Sequence, residues 1–233
     1  MNRPRSDPDP AAALYQGASG RGYHEVKREL QPPALDWVMA LRAAKFQPHV
    51  FPTDTVFEFG AGAGWNLARL RCARRIGCDA ADFLADRVVA LGIEFVRSPE
   101  AVPDGTADVG ICHHVLEHVL DPAGALNQVA RILKPGGRLI AHVPWERERR
   151  YGRYSTGEPN HHLYTWNAQT FGNLVALLGY RLEFVRVRRY GYDRFAATLA
   201  ARLHAGEPGF RLLRACLILL RPLREIELLA RKT

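Results

Sequence analysis

Hydrophobic and polar positions follow two different periods along the central part of the chain. Short runs rich in β-branched and aromatic residues predict strands, and segments with helical spacing separate them. The predicted strands cover residues 55–59, 75–79, 93–96, 107–112 and 138–143. Strands that alternate with helices at these lengths indicate right-handed crossovers. They predict an α/β fold whose parallel sheet carries helices on both faces.

The predicted helices fill the intervals and continue beyond the last of these strands. They cover residues 35–46, 65–73, 81–90, 122–133 and 168–178. Asp121 and Pro122 form an N-cap and first-turn pair, and either Thr165 or Asn167 can cap the last helix. The pattern then changes, because 181–188 and 225–231 alternate like strands around an apolar helical segment at 193–222.

These patterns predict one folded domain after a short terminal extension. Prolines and small polar residues fill residues 1–20, for which we expect disorder. The domain then covers 21–233, with its core at 52–190, a helical insertion at 193–222 and the last strand at 225–231. No run of about 18 apolar residues predicts a membrane span.

Charge and cysteine content narrow the class of protein. The net charge of +8 is typical of nucleic-acid binding, but only four of the 32 basic residues are lysines. No separate RNA-binding module accompanies them, so we expect no nucleic-acid partner. The four cysteines form no C-x-x-C pair, which favours a reduced, cytoplasmic setting.

A glycine turn after the first predicted strand is the strongest local signal for chemistry. Glycines at 60, 62 and 64 follow Glu58, and such a turn between strand and helix suits a nucleotide. A dinucleotide site would need a small residue where Trp65 stands. Asp79 lies nineteen residues after Gly60, where a carboxylate can take ribose hydroxyls. Asp79 can also act as the N-cap of the helix at 81–90, although the spacing favours the ribose role.

Two further motifs connect the glycine turn to a known family. One runs from Asp108 to His118 and contains Leu-Glu-His; the other runs from Arg131 to Ile140 and contains Leu-Lys-Pro-Gly-Gly. Over residues 52–145 the chain resembles the class I S-adenosylmethionine-dependent methyltransferases, specifically their type 11 and type 23 domains. The resemblance implies a Rossmann-like, doubly wound, seven-stranded sheet in a three-layer αβα sandwich. That sheet is parallel except for a last strand inserted antiparallel beside the fifth.

The resemblance also implies the cofactor, S-adenosylmethionine, and the residues around it. These are Glu58, Gly60, Ala61, Gly62, Asp79, Ala80, Ser98, Cys112 and His113. Glu58 would approach the methionine amino group, the glycine turn would line the methionine, and Asp79 would take the ribose. Ala80 would lie against adenine, with Ser98 standing where the family often has an acid. Cys112 and His113 would lie beside the sulfonium and the acceptor.

Candidate catalytic groups follow the fourth and fifth strands. His113 and His162 are candidates for a general base or for orienting the acceptor, and Glu146 for positioning its hydroxyl or amine. Each can instead have a purely structural role. His114 and His118 have the i,i+4 spacing of metal ligands on a helix. They belong to the Leu-Glu-His signature, however, and we predict no metal.

The predicted function is methyl transfer to oxygen or nitrogen of a small polar metabolite, such as a sugar, an amino acid derivative or a natural-product intermediate. The arginine-rich segment 145–154 suits a polar or anionic acceptor. One alternative is a peripheral membrane methyltransferase for a lipid or quinone-like acceptor, using residues 193–222. Another is a cofactor-binding subunit without catalysis. The segment 193–222 can also form a homodimer contact.

Overall fold

A seven-stranded sheet forms the centre of the computed structural model, which describes residues 10–22, 30–145, 153–154 and 160–233. Its strands are β1 Thr55–Phe59, β2 Arg74–Cys78, β3 Glu94–Val96, β4 Ala107–His113, β5 Leu133–Pro144, β6 Tyr180–Tyr190 and β7 Leu223–Lys232. Their spatial order is β3-β2-β1-β4-β5-β7-β6. The order reverses between β1 and β4, where open α/β sheets bind their ligands.

The last strand enters the sheet between β5 and β6 and runs antiparallel to both. The pairs among β1 to β5 are parallel. A strand inside the sheet is paired along both edges, and helices cover both faces of this sheet, so residues 225–230 of β7 are all buried. The expected fold class, with an antiparallel strand beside the fifth, is confirmed.

Helices cover both faces of the sheet and complete the expected three layers. They are α1 Gly17–Arg21, α2 Ala34–Phe46, α3 Ala85–Ala90, α4 Pro122–Ile132, α5 Ala168–Leu177, α6 Asp193–Arg202 and α7 Gly206–Leu220. Leu126 of α4 and Phe171 of α5 belong to one buried cluster, whereas Phe46 of α2 and Val88 of α3 belong to another. Asn167 caps α5 with a complete capping box, as one of the two alternatives predicted.

The segment 193–222 folds as two helices that pack against α2. Ala196, Ala197 and Ala200 of α6 are fully buried there, because small side chains let the two helices approach closely. Phe210 of α7 stacks on Trp37, with ring centroids 6.1 Å apart. No helix among the residues described has both the length and the apolar character needed to cross a membrane.

The expected helix at 65–73 is absent. Residues 65–69 form turns in which the amides of Leu67 and Ala68 donate to the Gly64 carbonyl, and no helix continues from them. The side chain of Gln47 binds both the N–H and the C=O of Arg71. This contact holds the backbone outside a helix three residues before β2 begins, and no local pattern predicts it.

The N-terminal segment also differs from the expectation. Residues 1–20 were expected to be disordered, whereas Pro10–Tyr15 form a 3-10 helix and α1 follows it. Residues 1–9 lie outside the described part. Ala11 is buried, and the hydroxyl of Tyr15 lies 2.8 Å from Nδ1 of His118. These long-range contacts account for order that the composition of the segment does not predict.

Candidate active site

A cavity of about 1020 Å³ opens at the carboxyl ends of β1, β4 and β5. The glycine turn lines one side of the cavity, and histidines, arginines and acids line the other. We define the histidine wall as the part of that second side formed by His113, His114, Glu117, His118, His162 and Glu225. Residues that carry the argument below and line the cavity are Gly60, Ala61, Gly62, Asn66, Lys45, His113, His114, Glu117, His118, His162 and Glu225. The two halves therefore share one space.

The glycine turn approaches its neighbours too closely for a side chain. Gly60 has a φ of +74°, and a Cβ added there would lie 2.3 Å from Cγ2 of Val115. The amides of Gly60 and Ala61 both donate to the Cys78 carbonyl, at 2.8 and 3.0 Å. These two hydrogen bonds join the turn after β1 to the end of β2. The turn therefore presents its backbone to the cavity, but the N–H groups of Gly60 and Ala61 are already used.

Asp79 holds the glycine turn from the end of β2. Its Oδ2 accepts from the Gly62 amide at 2.7 Å, and its Oδ1 accepts from the Ala81 amide at 2.9 Å. The predicted capping role is wrong, because the next 3-10 helix begins at Asp82 and α3 at Ala85, with Ala81 and Leu84 at their N-cap positions. The contact with Gly62 places the carboxylate beside the turn, where a ribose could compete for it.

Glu58 lies fully buried behind the turn. Asn66 Nδ2 donates to its Oε1 at 2.5 Å, whereas Oε2 of Glu58 and Oδ1 of Asn66 have no hydrogen-bond partner among the described residues. Burial raises the pKa of the Glu58 carboxyl to about 8, against the opposing effect of the Asn66 hydrogen bond. Two buried acceptors without donors fit an ammonium group, which brings three N–H bonds.

Several predicted cofactor residues do not line the cavity. They are Glu58 and Asp79, described above, and Ala80, Ser98 and Cys112. Ser98 caps a short 3-10 helix by accepting from the Glu100 amide at 3.3 Å. The Cys112 side chain is buried in the core, and burial raises the pKa of its thiol.

His113 contacts a buried lysine. Nζ of Lys45 lies 3.0 Å from Nε2 of His113 and 2.7 Å from the Glu225 carboxylate. An ammonium can only donate, so Nε2 of His113 accepts and its proton lies on Nδ1. Burial and the charge of Lys45 together hold the pKa of His113 well below its usual range. His113 is therefore neutral near pH 7.

Glu225 joins the groups on this wall. Its Oε2 lies 3.1 Å from Nε2 of His114, and its Oε1 lies 3.5 Å from Nδ1 of the buried His142. Burial alone would raise the pKa of Glu225, but the two histidines and Lys45 outweigh it and leave the pKa well below its usual range. Glu225 is therefore a carboxylate at neutral pH.

His162 lies beside His118, the last residue of the Leu-Glu-His motif. Its ring centroid is 4.8 Å from that of His118, and His118 Nε2 lies 3.9 Å from Oε1 of the buried Glu117. His161, the neighbour of His162, is exposed. The two predicted catalytic histidines thus belong to different groups on the same wall.

The side of the cavity opposite the glycine turn also carries several arginines. Arg188, Arg189, Arg194, Arg214 and Arg224 line it. Arg188 is paired with Glu227 and Arg214 with Asp193. Glu146 and most of the charged segment after β5 lie outside the described residues, and Arg153 of that segment is exposed.

Sequence reasoning missed Lys45, His142 and Glu225. Lys45 was hidden in an amphipathic helix and His142 in a predicted strand. A weak signal existed for Glu225, since Glu225 and Glu227 place two acids in a strand that was expected to insert into the sheet. A buried acid needs a partner, but the sequence does not say which one.

Fold and site together are those of a class I methyltransferase. A family model described as a methyltransferase domain matches residues 24–184, which is more than half of the chain. The chain belongs to this methyltransferase family. Membership confirms the resemblance stated above and, with it, S-adenosylmethionine as the cofactor.

Individual relatives are more distant. The chain is 28% identical over 152 residues to a demethylmenaquinone methyltransferase of Mycolicibacterium vanbaalenii, covering 60% of this chain and 63% of that one. It spans between 32% and 63% of the length of the curated relatives it matches.

Solved structures show the same fold. An S-adenosylmethionine-dependent methyltransferase from Thermotoga maritima superposes with a TM-score of 0.59 at 17% identity, covering 86% of this chain and 91% of that chain. The cyclase SpnF superposes with a TM-score of 0.57 at 20% identity, covering 84% and 80%. At these identities the likeness shows the fold alone.

The buried Glu58 generates a pH-dependence prediction. Its pKa is about 4.5 unfolded and about 8 folded, so its contribution to stability is complete below pH 4.5 and is lost as the pH rises through 8. Glu58→Gln removes this loss. The free energy of unfolding of the variant, relative to the natural protein, should rise by a few kcal/mol between about pH 5.5 and about pH 8.5.

Urea unfolding at the two pH values, without cofactor, measures the effect. Glu207→Gln, in the partly exposed first turn of α7 where the carboxylate pairs with Arg211, is the matched control and should not reproduce this rise. If the difference in free energy of unfolding between Glu58→Gln and the natural protein is the same at both pH values, the pKa of the Glu58 carboxyl is not raised.

Proposed function

We propose that this chain transfers a methyl group from S-adenosylmethionine to an oxygen or nitrogen atom of a small polar metabolite. The observation that carries the proposal is the pair of buried acceptors on Glu58 and Asn66 that have no hydrogen-bond partner among the described residues. They lie behind the glycine turn, and Asn66 and the turn line the same cavity as the histidine wall. The bound cofactor supplies an activated methyl group, and the protein must align the acceptor and exclude water.

Each end of the cofactor has a proposed contact in this chain. Glu58 and Asn66 would take the methionine ammonium, whose charge favours the ionised form of Glu58. The backbone of the turn would line the methionine. Asp79 would exchange its Gly62 hydrogen bond for the ribose hydroxyls and keep Ala81. Ala80, Ser98 and Cys112 stay proposals for the adenine and sulfonium surroundings.

The acceptor would be polar and carry negative charge. Arg188, Arg189, Arg194, Arg214 and Arg224 line this half of the cavity. Arg188 and Arg214 also pair with Glu227 and Asp193. Guanidinium groups suit carboxylates and phosphates, which they bind with two parallel hydrogen bonds. Sugars, amino acid derivatives and natural-product intermediates that carry such a group are the candidates.

Removal of the acceptor proton would fall to the histidine wall. Nε2 of His113 already accepts a hydrogen bond from the Lys45 ammonium, so it is not available to take a proton from the acceptor. His113 is therefore better placed to orient the acceptor through Nδ1–H than to take its proton. His162 stays the candidate for the base, and Glu146 for positioning the acceptor.

Asp79→Asn should weaken cofactor binding by about 1–3 kcal/mol, because a charged hydrogen bond to the ribose is lost. Calorimetric titration with S-adenosylhomocysteine measures the change. Asp82→Asn, three residues on, changes an exposed carboxylate that lies 3.4 Å from the Arg97 guanidinium, and this variant should bind as the natural protein does. Equal affinities of Asp79→Asn and Asp82→Asn would remove Asp79 from the ribose site.

His113→Ala and His162→Ala should each lower turnover by at least about tenfold while changing cofactor affinity much less, since these groups act on the acceptor. Transfer of a tritiated methyl group into fractions of a cell extract measures turnover, and the calorimetric titration measures affinity. His161→Ala, exposed beside His162, should keep full turnover. A histidine whose variant also keeps full turnover has no part in the reaction.

A second candidate is a peripheral membrane methyltransferase for a lipid-soluble acceptor. Phe210 of α7 faces the core, whereas Leu212, Leu219 and Leu220 are 68%, 72% and 81% exposed. The exposed Arg211 and Arg221 flank them, as expected where an apolar helix face lies on anionic lipid. The same surface also suits the predicted homodimer.

If the second candidate holds, the natural protein should co-sediment with anionic phospholipid vesicles and the double variant Leu219→Glu, Leu220→Glu should not. Leu177→Glu changes a leucine that is 86% exposed on α5, away from α7, and should still bind. Absence of the natural protein from the pellet would reject the membrane reading. Gel filtration with light scattering would then test the homodimer.

A further inference from the structure

Two groups of potential metal ligands lie on the histidine wall, and the chain treats them differently. One comprises His113, His114 and Glu225; the other comprises Glu117, His118 and His162. In the first group, the Lys45 ammonium lies 2.7 Å from Glu225 and 3.0 Å from His113. The chain's own cation therefore occupies the position that a metal ion would take.

The second group contains a buried carboxylate, Glu117, whose charged neighbours among the described residues are the rings of His114 and His118 rather than a lysine. Glu117 is fully buried, and neither of its carboxylate oxygens has a hydrogen bond of good geometry within the described chain. Its backbone carbonyl accepts from the Leu163 amide at 2.7 Å, which brings the segment of His162 to this position. Burying a carboxylate is costly unless it is hydrogen-bonded, paired or bound to a metal.

Two histidines present ring nitrogens to this carboxylate. Nδ1 of His114 lies 3.4 Å, and Nε2 of His118 lies 3.9 Å, from Oε1 of Glu117. Two ligand atoms that each lie about 2.0–2.2 Å from a tetrahedral zinc ion are roughly 3.3–3.6 Å apart. The separation from His114 matches this range, and that from His118 is a few tenths of an ångström longer. Both are long or poorly aligned for hydrogen bonds.

The other nitrogen of each ring has a partner of the kind that orients metal ligands. Nε2 of His114 lies 3.1 Å from the Glu225 carboxylate, which fixes the proton there and leaves the lone pair on Nδ1. Nδ1 of His118 lies 2.8 Å from the Tyr15 hydroxyl, which can accept its proton and leave the lone pair on Nε2. Both lone pairs then point toward Glu117.

We propose that Glu117, His118 and His162, with His114 as a fourth ligand, form a binding site for a divalent first-row transition metal ion such as Zn²⁺. The ligand atoms of Glu117, His118 and His162 lie within 4.8 Å of one another. Imidazole and carboxylate donors together suit this class of ion. The φ of +53° at His114, rare for a residue other than glycine, turns the chain between β4 and these ligands.

The site borders the cavity that receives the acceptor, and in this respect the inference rests on the proposed function. An ion there would bind an acceptor hydroxyl and lower its pKa, so an oxygen acceptor is favoured over nitrogen. His162 would then be a ligand rather than the base. The sequence analysis did not expect a metal, because only the fold brings His162 and Tyr15 to the Leu-Glu-His motif.

The test measures metal binding directly, without cofactor or acceptor. Untagged full-length protein is stripped with a chelator and titrated with Zn²⁺ in competition with a chromophoric chelator. We expect one Zn²⁺ per chain. Glu117→Gln and His162→Ala should each lower its affinity by at least about 100-fold, and Tyr15→Phe, which removes an outer partner, by about tenfold.

Controls separate this site from its neighbours. His161→Ala, beside His162, and His113→Ala, in the group that Lys45 occupies, should bind Zn²⁺ as the natural protein does. The visible spectrum of the Co²⁺-substituted natural protein reports nitrogen and oxygen ligation and does not depend on any variant folding. Circular dichroism melts show whether each variant is folded.

Three results would overturn the proposal. They are a natural protein that binds much less than one ion, a folded Glu117→Gln variant with unchanged affinity, and a loss in His113→Ala equal to that in His162→Ala. Calorimetric titration of the same preparations with S-adenosylhomocysteine tests the proposed function separately, so either conclusion can fail alone.

Discussion

The contact between Lys45 and Glu225 determines how the acceptor side of the cavity is built. Glu225 lies near the start of the antiparallel β7, and Lys45 lies near the end of α2, 180 residues earlier. The two side chains are only 3% and 18% exposed. Removing one member of such a pair typically costs about 3–5 kcal/mol, because the other charge stays buried without a partner. The pair thus fixes α2 against the sheet.

The same pair controls the state of the nearby histidines. The Lys45 charge keeps His113 neutral and defines which nitrogen carries its proton, whereas Glu225 accepts from His114. Burial and Lys45 lower the pKa of His142 to about 4. Three histidines near one another therefore have different electrostatic surroundings, although their sequence contexts gave no reason to distinguish them.

Local signals predicted most of the sheet, because each strand has an apolar pattern of its own and each crossover follows the same handedness. The family resemblance supplied the position of the antiparallel strand. The failures occurred where distant residues override local pattern. Gln47 holds the backbone at Arg71 outside a helix, and Tyr15 binds His118 from a segment whose composition favours disorder.

The candidate site was predictable on its cofactor side and much less so on its acceptor side. Glu58, Gly60 and Asp79 follow consecutive strands at fixed spacing, so their proximity follows from a parallel sheet. Lys45 and Glu225 come together only because β7 inserts between β5 and β6, and a single sequence does not encode that distance in any short motif.

His114 joins the two halves of the histidine wall, and this has an electrostatic consequence. One of its nitrogens faces Glu225 and the other faces Glu117, so the ring lies between two buried carboxylates.

The two carboxylates, Lys45 and a neutral His114 leave a net charge of −1 on the wall. A protonated His114 would balance this negative charge without a metal. Burial lowers the pKa of His114, but the two acids outweigh burial and raise that pKa above its usual value. A divalent ion at Glu117 would displace that proton and leave the wall positive. The wall would then attract an anionic acceptor more strongly, in agreement with the arginines on the same side of the cavity.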